Sequence, residues 1–105
     1  MGIFDMFSKN INKGVRDFRS VSGAVLLDVR TEEEYREGHI PGSMNVPLQN
    51  IGTISERLTS KDTPLFVYCY SGSRSSQAVN MLKRMGYTNV RNIGGIVSYT
   101  GKVVR

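Results

Sequence analysis

The chain has 105 residues, 39% hydrophobic and 22% charged, with a formal net charge of +5, one histidine and one cysteine. That length buries one core, and that composition belongs to a folded chain rather than a disordered one. A lone cysteine excludes an intrachain disulfide and suits a reducing compartment, and one Cys with one His cannot furnish a four-ligand zinc site.

No apolar run approaches the roughly 20 residues of a membrane span. Residues 1–20 mix Lys, Arg and Asp among apolar side chains, unlike a secretory signal. Met1-Gly2 begins like a myristoylation site, but position 6 is Met where Ser or Thr is needed. The expected compartment is the cytoplasm. The positive charge favours anionic partners, yet the basic residues are scattered and no RNA-binding aromatic signature occurs, so nucleic acid is not expected. A small anionic substrate suits the charge better.

Ile3, Phe4, Met6, Phe7, Ile11, Val15 and Phe18 give the first segment an apolar side. Interfacial membrane binding is one reading. Packing against the domain edge is favoured, because Asn12 and Gly14 interrupt the stripe. Ala24 to Val29 then forms a mostly apolar run, the pattern of a strand covered on both faces. Thr31 followed by Glu34 predicts a capping box, opening a helix that ends at Gly38. His39-Ile40-Pro41-Gly42 is turn chemistry, with His39 as a turn-stabilising residue, and Met44 to Val46 predicts a brief strand. Ile51, Ile54 and Leu58 share one helical face.

Pro64 introduces a second buried strand, Leu65 to Tyr68. A Ser/Gly loop follows, then a helix with the stripe Ala78, Leu82 and Met85, capped by Gly86. Asn89 to Ile93 predicts a last strand and Gly94-Gly95 a turn. Strands alternating with helices imply an α/β layer structure with helices on both faces.

The chemistry concentrates in Val67-Tyr68-Cys69-Tyr70-Ser71-Gly72-Ser73-Arg74-Ser75-Ser76. Cys69 directly follows a buried strand, where open α/β sheets bind ligands. Gly72 permits a tight turn, and inward amides would form a nest for an anion beside the start of a helix near Ser73 or Arg74. Helix N-termini and nearby cations lower a thiol's pKa, so Cys69 is expected to ionise at neutral pH without a histidine base. Against this stands a buried, inert cysteine that merely ends a strand.

Cys69-Tyr70-Ser71-Gly72-Ser73-Arg74-Ser75 resembles the active-site loop of rhodanese domains. Leu27-Asp28-Val29-Arg30, Glu34-Tyr35 and Gly38-His39-Ile40-Pro41-Gly42-Ser43 resemble the family's amino-terminal signature. Met85-Gly86-Tyr87, Asn89-Val90 and Gly94-Gly95 follow in the same order, so the likeness spans residues 24–99. Tyr99 stands where relatives often carry tryptophan.

The resemblance implies one rhodanese domain over 1–105, with a parallel five-stranded sheet flanked by helices. It implies a thiosulfate sulfurtransferase without a cofactor, acting through a Cys69 persulfide and passing sulfur to cyanide or a thiol. Arg74 would attract the anionic donor and help hold the loop, and Ser71, Ser73 and Ser75 offer hydroxyls. Asp28 and Arg30 lie near the site, more simply as an ion-pair network, Arg30 with Glu34 and Asp28 with backbone or Arg74. Cysteine-dependent phosphatases place arginine after five intervening residues, whereas here Arg74 follows after four, a cup too small for phosphate or arsenate. A monomer is the expected state. The alternatives are a sulfur-relay module acting on a protein partner and a non-catalytic interaction domain.

Overall fold

The computed structural model describes residues 10–105. Four parallel strands form the sheet: β1 (Val25–Asp28), β2 (Ser43–Asn45), β3 (Leu65–Cys69) and β4 (Val90–Gly95), in the order β2-β1-β3-β4. The resemblance implied five strands, and the described residues supply four. Outside this sheet, among the described residues, His39 and Val104 make an isolated antiparallel bridge.

Strand side chains alternate between the faces, so each strand feeds two cores. Leu27, Leu65, Val67 and Cys69 point to one face, with Ala78 and Leu82 of α3 (Ser73–Arg84) and Ile51 and Ile54 packed on them. Leu26, Phe66, Tyr68 and Ile93 point to the other, under Ile11 and Val15 of α1 (Ile11–Ser20). The expected double-faced strands and flanking helices are present.

α1 begins at Asn10, whose side chain accepts from the Lys13 amide. It packs on the sheet, as the favoured reading held, although Gly14 does the opposite of interrupting the contact. Gly14 is buried against Ile93, and a Cβ there would collide with that side chain. Asn12 is likewise employed, accepting from the Thr100 amide. The apolar residues Ile3, Phe4, Met6 and Phe7 lie outside the described residues. No described helix is long and apolar enough to cross a membrane.

α2 (Glu32–Glu37) carries the predicted capping box in full. Thr31 Oγ accepts from the Glu34 amide, and Glu34 Oε1 accepts from the Thr31 amide. The segment with Ile51 and Ile54 is a 3₁₀ helix, Leu48–Glu56, in which residues three apart stack on one side. Leu58 lies just past it, half-buried. Gly86 follows α3 with φ +103, a conformation that costs glycine little. His39 behaves as a turn residue, its ring stacked on Tyr35 and its Nδ1 2.9 Å from the Tyr35 carbonyl.

Gly94-Gly95 departs from expectation. These residues prolong β4 instead of turning, pairing with Tyr68 and Cys69. A Cβ on Gly95 would strike the Tyr70 carbonyl, so only glycine lets the loop settle on the strand. Beyond it lies one short 3₁₀ turn, Ile96–Ser98, and Tyr99 packs against the α1 core.

Candidate active site

Cys69 ends β3, and its thiol lies on the α3 face, buried beneath the loop that follows. Gly72 holds φ +107 at the N-cap of α3. That left-handed turn folds the chain back over the sulfur. The Gly72 amide donates to Sγ at 3.0 Å and the Ser75 amide at 3.3 Å, with Ser75 Oγ 3.4 Å away. The expected nest of inward amides is what the loop forms.

Burial pushes the Cys69 thiol up. Against that, the Ser75 hydroxyl and the amides of Ser75, Gly72 and Ser71 favour the anion, and the balance lies below the usual thiol value.

The other loop residues divide by position. Ser75 is fully buried and supplies both an amide and a hydroxyl. Ser71 and Ser73 are exposed, so among the serine hydroxyls the one against the sulfur is that of Ser75. Tyr70 is half-exposed at the rim, next to exposed Val97, whose amide donates to the Tyr70 carbonyl.

Arg74 makes a forked pair with Glu34, Nη1 to Oε1 at 2.7 Å and Nη2 to Oε2 at 3.1 Å. It thus ties the first turn of α3 to the start of α2. The Arg74 pair, with the Thr31 cap, holds Glu34 down from 4.5 to about 2. Because the folded value is depressed, this stabilisation is complete above about pH 4.5 and disappears as pH falls through about 2. We expect an acid-induced loss of stability across that window, diminished in Glu34→Gln, measured by thermal unfolding against pH.

Asp28 and Arg30 are both buried, and they pair with each other. Arg30 Nη2 donates to Asp28 Oδ2 at 2.7 Å, Nε reaches both carboxylate oxygens, and the Arg30 amide donates to Oδ1. Arg30 Nη2 also donates to the Gly38 carbonyl at 2.7 Å. The expected network exists: Asp28 does accept from backbone, at the Arg30 amide, while the ion pairs are exchanged, Glu34 taking Arg74 and Asp28 taking Arg30. The planar guanidinium reaches two oxygens only two residues away, leaving Glu34 free for the incoming loop.

The sequence reading missed the roles of two participants. Asn92, on β4, binds Gly72 and Ser75 with its side-chain amide. Glu34 was legible as a cap but not as the anchor of Arg74. Beside Arg74 opens a cleft of about 420 Å³, lined by Val29, Thr31, Pro47 and Leu48 among others.

A family model for rhodanese-like domains matches residues 6–102. The chain is 39% identical over 71 residues to thiosulfate sulfurtransferase PspE of Escherichia coli (strain K12), covering 67% of this chain and 68% of that protein. It is 37% identical over 78 residues to the putative sulfur carrier protein YrkF of Bacillus subtilis (strain 168), covering 73% of this chain but only 42% of that one. Among solved structures, a rhodanese with anions from E. coli aligns with TM-score 0.72 at 35% identity, covering 78% of this chain and 98% of the other. With fold and sequence in agreement, the chain belongs to the rhodanese-like sulfurtransferase family.

Proposed function

We propose that this protein is a thiosulfate sulfurtransferase whose nucleophile is Cys69. The observation that carries the reading is the set of polar groups on one sulfur: two amides that donate to it, and a hydroxyl 3.4 Å away. Such preorganised donors stabilise an anion wherever it resides, on the thiolate or on a persulfide. The likeness to a relative named thiosulfate sulfurtransferase supports the same donor.

The Cys69 thiolate attacks the outer sulfur of thiosulfate. A bond forms from Sγ to that sulfur, the donor's S–S bond breaks, and its electron pair leaves on sulfite. Cyanide or a thiolate then attacks the outer sulfur and returns the electrons of the Sγ–S bond to Cys69. Arg74 lends positive charge at the loop while its pair with Glu34 fixes the first turn of α3. The apolar wall of the cleft beside it, at Val29, Pro47 and Leu48, seats the body of a thiol acceptor. The reading has one domain, residues 1–105, working as a monomer in the cytoplasm, where a lone thiol stays reduced.

A second reading is delivery to a protein acceptor. Exposed Tyr70 and Val97 at the rim favour it, as does the likeness to a putative sulfur carrier. Intact mass after incubation with thiosulfate tests the common step. We expect a gain of one sulfur atom, discharged by cyanide. A mass that stays unchanged would refute the persulfide.

A further inference from the structure

The Ser75 hydroxyl has one hydrogen and three acceptors around it. They are Asn92 Oδ1 at 2.8 Å, Gly72 O at 3.1 Å and Cys69 Sγ at 3.4 Å. Asn92 meets this hydroxyl because it pairs with Val67 and so shares the face of the sheet that carries Val67, Cys69 and α3. Just past it β4 bulges: the next pair is Tyr68 with Gly94, which leaves Ile93 over. Bulges of this kind recur beside functional sites. The orientation of the Asn92 amide is set by its neighbours. The Gly94 amide can only donate, so Oδ1 faces it at 2.9 Å, and Gly72 O can only accept, so Nδ2 faces it at 3.1 Å.

We propose that Asn92 is a positioning residue for Cys69, pinning Gly72 over the sulfur and sharing the Ser75 hydroxyl hydrogen with it. The inference rests on the reading above only in taking Cys69 as the reacting thiol. When the sulfur is neutral, the hydroxyl points to Asn92 Oδ1, its shortest partner. When the sulfur is anionic, the charged acceptor is the stronger one and the hydrogen turns to it. Neither abandoned acceptor is orphaned by that turn. Asn92 Oδ1 keeps the Gly94 amide, and Gly72 O keeps Asn92 Nδ2 and the Ser76 amide. The sulfur therefore gains a donor as it charges, without leaving a buried polar atom unpaired.

Charged groups near this end of the sheet are Arg74 on α3, Glu34 on α2 and the Asp28–Arg30 pair after β1. Their hydrogen bonds go to one another and to the backbone, not to Ser75 or Asn92. Arg91, beside Asn92, turns to Asp17 on α1. The hydroxyl's choice is thus governed by Asn92, Gly72 and the sulfur.

The test is titration of Cys69 in Asn92→Ala, by thiolate absorbance and by iodoacetamide alkylation across pH, with no sulfur donor present. We expect the midpoint to rise by about one unit, which is about tenfold less thiolate at neutral pH. The alkylation rate of the fully ionised thiol should match that of the unsubstituted protein. Ser75→Ala should also raise the midpoint, and the double variant should shift it by less than the sum. Asn92→Ser provides the milder change should the alanine variant lose its native circular dichroism. An unchanged midpoint in a folded Asn92 variant, or additive shifts, overturns the proposal. Titration as expected in a protein that takes no sulfur from thiosulfate would refute the proposed activity and leave the role of Asn92 standing.

Discussion

Cys69→Ser should lower sulfur transfer from thiosulfate to cyanide by at least about a thousandfold, the scale seen when a nucleophile is removed. The fold should survive. Serine is close in size to cysteine, and its oxygen can accept from the Gly72 and Ser75 amides that now face the sulfur. A stability cost below about 2 kcal/mol is expected, measured by chemical denaturation. The contrast separates chemistry from architecture at Cys69. Retained transfer by the serine variant would place the sulfur acceptor elsewhere, and the chain has no other cysteine.

Arg30→Ala should be the most destabilising single change near the site. Asp28 is fully buried and Arg30 nearly so, at 5% exposure. Removing the guanidinium strips three hydrogen bonds from a carboxylate that water cannot reach. Breaking such a pair costs about 3–5 kcal/mol. For a domain of this size that is a fall in Tm of roughly 15–25 °C, read by calorimetry. The Gly38 carbonyl at the end of α2 loses its partner in the same stroke. Replacing both partners with apolar residues, Asp28→Leu with Arg30→Met, should recover much of the loss, because no charge is then left buried alone. A single variant as stable as the parent would show that the pair contributes nothing to the sheet's edge.

The capping box at Thr31 and Glu34 could be read from the sequence because a cap is local, decided by residues three apart. The buried strands were legible for a similar reason: Ala24 to Val29 and Leu65 to Tyr68 are mostly apolar without alternation. Cys69 stood out because the residues after it can turn sharply and present amides. The exchange of ion pairs was not legible. Arg74 and Glu34 are separated by 40 positions, and nothing in either segment says which carboxylate the guanidinium will meet. Gly14 misled for the same reason. A glycine within a helical stripe reads as a weakness until Ile93, on a distant strand, is found against it. Asn92 was invisible because its partners, Gly72 and Ser75, lie about 20 positions away in another segment, and asparagine within a strand carries no signal of its own.

The thiol of Cys69 has no surface open to solvent. Whatever reacts with it must arrive as a single terminal atom or wait for Tyr70 to Gly72 to lift. We expect slender donors to react ahead of branched ones, by cross-section as much as by charge, and the same roof to slow peroxide and with it the oxidation to sulfinic and sulfonic acids from which a cysteine seldom returns.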